Sequence, residues 1–241
     1  MKYIAIMRDG FSDYCVIKYF VSAVFKHHYQ LELKDDNFFD MESLNITDAV
    51  AKYVSNSDKK KDCGLYTQHA EEFKTRIVKV LYAASVKFKR ERKDAGFSNK
   101  DILVMYSDAE KMLKDKHNYF KDWAYTLNAV LRLSVETFYD TMVRKGFNYE
   151  NLPLILPLIL FPSSEILAAS CMFDFNRENF RELKAKPALK QKVYGTDNIP
   201  SAIKTGKLDE VLSNFIVPES LKDVYREIPE SRKLIQILSH C

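Results

Sequence analysis

Five carboxylates of this 241-residue chain fall where short apolar runs end. Asp9 and Asp13 follow Tyr3–Met7 (YIAIM), Asp108 and Glu110 follow Asp101–Tyr106 (DILVMY), and Glu165 follows Leu154–Phe161. An uninterrupted apolar run of this kind is expected of a strand buried on both faces of a parallel sheet. In open α/β sheets ligands bind beyond the carboxyl ends of the strands, so the three runs would deliver their acids to one edge. Carboxylates gathered there repel one another unless a cation neutralises them. Hard oxygen donors at that density suit Mg²⁺ or Mn²⁺, an ion that activates water and stabilises charge developing on a phosphoryl group. Asp108 and Glu110, two apart in extended chain, share a face. Asp9 and Asp13, four apart across a turn into a helix, can face one point. Taken singly, Asp9 and Asp13 also read as helix caps; the coincidence of three acid-bearing strand ends is what points to metal chemistry.

The elements that must hold these residues are legible in outline. After Tyr3–Met7, Gly10 and Ser12-Asp13 signal a turn and a helix start. Val16, Ile17, Phe20, Val21, Val24 and Phe25 then recur at helical spacing. Leu31–Leu33 offers a second short strand, residues 34–45 read as irregular, and Asn45 or Thr47 caps a short helix ending near Val54. Residues 65–93 carry a helical stripe of Phe73, Ile77, Val80, Leu81, Ala84 and Phe88. Residues 118–145 carry another, of Trp123, Leu127, Val130, Leu131, Val135, Phe138 and Met142, stopped by Gly146. Pro162-Ser163 marks the start of a helix bearing Glu165. Beyond Asp174, breaks at Pro187, Gly195, Pro200, Gly206, Pro218 and Pro229 separate short amphipathic helices, with no comparable strand. The expectation is an α/β domain over residues 1–174, a mostly parallel sheet flanked by long helices, with a helical C-terminal extension over 175–241 packed on it.

Composition narrows the class. Apolar residues at 46% and charged residues at 29% are ordinary globular values and exclude a disordered chain. A net charge of +4 permits contact with nucleic acid without demanding it. The densest positive feature is Lys87–Lys93 (KFKRERK), five basic residues and one acidic, read either as a solvated helix end or as a phosphate track. Cys15, Cys63, Cys171 and Cys241 show no C-x-x-C spacing, which excludes a zinc ribbon or redox motif; Cys15 and Cys171 read as buried thiols. The absence of a signal-peptide pattern and of an apolar stretch of membrane-spanning length leads to the expectation of a cytoplasmic protein. His27-His28 has no ligand partner at metal spacing and reads as a helix C-terminus pair.

Short motifs add a family resemblance. Asp9-Gly10-Phe11-Ser12-Asp13 after the first strand resembles the E-G-x-[ST]-[DE] opening of Toprim-like domains, and Ser107-Asp108-Ala109-Glu110 resembles their D-x-D motif. Pro162-Ser163-Ser164-Glu165-Ile166-Leu167-Ala168-Ala169 resembles a glutamate-bearing segment of the OLD-like branch. The stretch from Lys186-Pro187 to Lys192-Val193-Tyr194-Gly195 is similar to one in small stand-alone members. The resemblance implies a Toprim/Rossmann-like fold and a Mg²⁺- or Mn²⁺-dependent endonuclease acting on DNA or RNA. Asp9, Asp13, Asp108, Glu110 and Glu165 would be its metal-holding catalytic residues, and Lys192 would stabilise transition-state charge. It further implies an effector of bacterial anti-phage defence controlled by an ABC-type ATPase partner, since this chain carries no ATP-binding motif of its own. Asp9 stands where the family has glutamate and Glu110 where it has aspartate, each shifting a carboxylate by one carbon–carbon bond. Those departures leave open a catalytically degenerate scaffold or regulatory subunit that binds the ATPase.

Overall fold

A computed structural model of the chain describes residues 3–42, 44–60, 65–92, 96–108, 119–160, 163–172, 186–196 and 198–238. Its ordered elements are β1 (Ile4–Met7), α1 (Phe11–Tyr29), β2 (Phe38–Asp40), α2 (Thr47–Lys60), α3 (Gln68–Glu91), β3 (Ile102–Asp108), α4 (Tyr119–Arg144), β4 (Leu154–Leu160) and α5 (Glu165–Met172), then α6 (Lys186–Tyr194), α7 (Ile199–Lys204), α8 (Lys207–Phe215), α9 (Leu221–Glu227) and α10 (Lys233–Leu238). The architecture is α/β, a four-stranded parallel sheet flanked by helices, with strand order β2-β1-β3-β4. The register of the central pair runs from Ile4 opposite Ile102 to Met7 opposite Met105.

The sequence explains the strand positions. β1 and β3 are buried along their whole lengths, which is why both read as continuous apolar runs and why both are central. β4 carries Pro157 in its middle. Proline has no N–H to give a ladder and is tolerated where one side of a strand is unpaired; β4 is an edge strand. The other edge is β2, only three residues long. It lies in the stretch that sequence patterning leaves irregular, and Leu31–Leu33 is not a strand. Gln30 turns left-handed at φ 52° to end α1, and Leu31 is 43% exposed. Phe38, by contrast, is buried, and Met41 N–H bonds to the Ile6 carbonyl.

By contact, the chain forms two compact units. The first comprises residues 1–9 and 39–157. In it α3 buries Ala70, Phe73, Ile77, Leu81, Ala84 and Phe88 at three- and four-residue spacing. Each fully buried side chain of Leu or Phe size contributes about 1.5–3 kcal/mol. Thr67 caps α3, its hydroxyl accepting from Ala70 N–H. Phe88 stacks on Phe97 at 3.8 Å and meets Phe39 and Tyr3 edge-on. On α4, Leu127, Val130, Leu131, Val135, Phe138 and Met142 are buried; the side chain of Trp123 lies outside the described residues.

The second unit comprises residues 10–38 and 158–241. It is helical among its described residues, apart from the ends of β2 and β4. α1 buries Cys15, Val16, Ile17, Phe20, Val21, Val24 and Phe25 and packs with α5 and α8. Tyr19 hydroxyl reaches Asp209 at 3.3 Å and His28 meets Tyr225 hydroxyl at 3.1 Å. Among the described residues from 186 onward there is no strand, as the Pro and Gly punctuation leads one to expect. No described helix is long and apolar enough to cross a membrane.

Candidate functional site

Strand order places a topological switch point between β1 and β3. From β1 the chain goes outward to β2 on one side and returns to β3 on the other, so the connections part there, the place where open α/β sheets bind ligands. The register that pairs Met7 with Met105 puts Asp108, the last residue of β3, and Asp9, two residues beyond the end of β1, at this same edge. Asp9 is exposed; Asp108 is 7% exposed. Tyr106, two residues back on the same face of β3, donates its hydroxyl to Asp108 Oδ1. Ser107, pointing the other way, sits 3.4 Å from Thr47 hydroxyl. Beside them Arg8 Nε donates to Asp40 Oδ1 at 2.7 Å and its Nη2 lies 3.7 Å from Glu42 Oε1, so the acid at the end of β2 is already compensated. Glu110 lies outside the described residues.

Asp13 and Glu165 meet different surroundings, within the helical unit. Asp13 Oδ2 accepts from Gly10 N–H at 2.7 Å, capping α1, and its Oδ1 accepts from Ser164 hydroxyl at 2.7 Å. Asp13 is therefore both a cap, as its position suggests, and one end of a tie across the unit. Glu165, wholly buried at the first position of α5, accepts from Ser163 hydroxyl on Oε2 at 2.5 Å. Its Oε1 has no hydrogen bond among the described residues; its neighbour is Lys190 Nζ at 3.7 Å. Lys190 comes from α6, where it shares a face with Tyr194, four residues on. Tyr194 is 1% exposed and its hydroxyl has no hydrogen-bond partner among the described residues. Burial first, then the charges of Glu165, Asp13 and Cys15, push its ionisation well above the ordinary tyrosine value.

Lys192, the lysine singled out from the sequence, is exposed; the lysine beside Glu165 is Lys190. Leu189, Val193 and Tyr194 are the buried positions of α6, and Tyr194, four residues after Lys190, draws the buried face toward Lys190 and away from Lys192. The basic segment is largely engaged. Lys87 Nζ donates to the Glu42 carbonyl at 2.6 Å, and Arg92 donates to Tyr3 hydroxyl and lies over its ring. Tyr3 precedes β1, so Arg92 is at the amino edge of the sheet, opposite the switch point. Lys93 lies outside the described residues. Cys15 is buried, and Cys171 is half-buried, its thiol pushed up to about 11, mainly by burial.

No family model, curated protein or solved structure matches this chain.

A hard divalent cation fits this chain in donor type at the switch point, where Asp9, just past β1, and Asp108, at the end of β3, offer carboxylate oxygens. In number the described donors stop short: among the described residues no group of three or more His, Cys, Asp or Glu side chains is arranged to hold a metal. Asp13 and Glu165 have their charges answered inside their own unit, by a backbone amide, two serines and a lysine.

Proposed function

We propose that this chain is a Toprim-like, Mg²⁺- or Mn²⁺-dependent nuclease, the effector subunit of a bacterial anti-phage system controlled by an ATPase partner. The observation that carries the reading is the pair Asp9 and Asp108 flanking the β1/β3 switch point, where an open parallel sheet binds its ligand. Asp9 and Asp108 would hold the ion, with Glu110 as the third carboxylate that the motif resemblance supplies. The chemistry such an ion supplies when bound is Lewis acidity toward a phosphodiester. Tyr106 orients Asp108 through its hydroxyl. Lys190 and the two serines hold Glu165 and Asp13 in fixed geometry.

The second reading, a catalytically degenerate scaffold, has an observation in its favour: Glu165 carries a lysine counter-ion, and no third described carboxylate joins Asp9 and Asp108. One experiment separates the two. Wild type, Asp9→Ala and Asp108→Ala are incubated with labelled DNA and RNA in Mg²⁺ or Mn²⁺, and their melting is followed with and without Mn²⁺. The nuclease reading expects metal-dependent cleavage that both substitutions abolish. It also expects a wild-type stability gain of about 2.7 kcal/mol when the ion is at 100 times its Kd, absent in Asp108→Ala. Neither cleavage nor a metal-linked gain leaves the scaffold.

A further inference from the structure

Phe11, the first residue of α1, keeps 42% of its surface exposed. An exposed aromatic ring is ordinary by itself; the place of this one is what counts. α1 starts just beyond the carboxyl end of β1, the edge where an open parallel sheet takes its ligand. Phe11 stands two residues past Asp9, so the covalent chain holds their Cα atoms within about 7 Å. Other exposed aromatics stand elsewhere: Phe147 and Tyr149 come just ahead of β4, at the amino end of that strand. Tyr14, three residues on and on the same face of α1, sets its ring 5.9 Å from that of Phe11, at 33° between planes. Tyr14 is half-buried. It therefore backs Phe11 and steadies it, while Phe11 itself stays in part open to solvent.

A flat ring on a two-residue tether from an ion-binding carboxylate suits a flat group of the ligand. This placement rests on the reading of Asp9 and Asp108 as the ion site. An ion there engages a phosphodiester, and the base next to that phosphate is the nearest flat surface the strand offers. In a duplex each base is paired and covered on both faces by its neighbours. In a single strand a base can turn out and stack on an aromatic side chain. We infer that Phe11, backed by Tyr14, is a stacking platform for a nucleobase beside the bound phosphate, and that the chain takes single-stranded nucleic acid in preference to duplex. A ring face stacks on any base and makes no use of the 2′-hydroxyl, so DNA and RNA strands serve alike.

The test uses the full chain, fluorescein-labelled thymidine and uridine single strands, and the thymidine strand annealed to its complement. Anisotropy is read in Ca²⁺, a hard ion for the same oxygen donors; cutting is read separately on gels in Mn²⁺. Both single strands should bind more tightly than the duplex. Phe11→Leu keeps an apolar side chain against Tyr14 and removes the flat face. It should weaken single-strand binding at least about fivefold and leave duplex binding unchanged. Phe11→Trp should retain binding, and the fluorescence it adds to that of Trp123 should be quenched by the strand. Tyr149→Leu, the same loss at the amino end of β4, should change nothing. The inference is overturned if neither single strand binds, if Phe11→Leu binds them as wild type does, or if it loses duplex binding equally. Circular dichroism checks folding; should Phe11→Leu not fold, the quenching of Phe11→Trp decides, its absence overturning the platform. Phe11-dependent binding with no cutting by wild type sinks the nuclease reading alone, whereas cutting with binding that ignores Phe11 sinks the platform alone.

Discussion

Removing the Lys190 ammonium while keeping its stem, as in Lys190→Met, leaves a wholly buried Glu165 without its counter-charge. At 3.7 Å the gross attraction is about 4.5 kcal/mol with an effective dielectric of about 20. Desolvation of the buried carboxylate cancels much of this. Lys190 retains 17% side-chain exposure, so water weakens the pair further, and the net coupling comes to about 2 kcal/mol. Lys190→Met should cost about 3 kcal/mol, because breaking a buried pair strands a charge. Glu165→Gln should cost about 1.5 kcal/mol, since Ser163 still finds an oxygen to donate to. The double variant should cost about 2 kcal/mol less than the two singles together. Urea unfolding followed by far-ultraviolet circular dichroism measures all four states of the cycle. Additivity within about 0.5 kcal/mol would refute the reasoning and reduce Lys190 to an apolar stem packed on α5.

Alkaline pH reaches the same cluster through Tyr194. Its folded ionisation lies well above the ordinary value, so its contribution is fully present below the unfolded pKa of about 10 and is lost as pH rises from there toward the folded value. Tyr194→Phe, which removes a buried hydroxyl that has no partner, should be neutral or slightly stabilising at pH 7. Above about pH 10 it should lose stability less steeply than wild type, by up to about 1.4 kcal/mol per pH unit; parallel alkaline melting curves would exclude this account. Gly146→Ala should cost about 1 kcal/mol from backbone strain at φ 89°, because nothing lies within 4 Å of the added Cβ. A loss well beyond that in urea titration would mean a packing role the open space does not suggest.

Three strands, three long helices and the stop at Gly146 could be read from the chain alone, because each is written in local periodicity. Four to seven consecutive apolar residues mark β1, β3 and β4, and the stripes of α1, α3 and α4 repeat every three or four positions. β2 could not be read so. Three residues are too few for a period, and Leu31–Leu33 is the more apolar stretch; Phe38 wins because it has a place beside β1 to be buried in. Lys190, which no motif singled out, lies beside Glu165 because Leu189, Val193 and Tyr194 together set the buried face of α6, while Lys192 is exposed.

The sequence by itself determined that Asp108 ends β3 and that β1 and β3 must be buried on both faces, since a run such as YIAIM has no polar side to offer water. It determined that Asp13 caps α1, a bond to Gly10 three residues away. Only the tertiary structure decided that β1 and β3 are neighbours, which brings Asp9 and Asp108 to the same edge of the sheet. It alone decided that Asp13 meets Ser164 across 151 positions of chain, and that Glu165 faces a lysine from a helix beyond α5. Periodicity reports which face of an element is buried; it carries no information about which distant element buries it. Partners of that kind are chosen by the packing of whole surfaces, and they exist only once the chain has closed on itself.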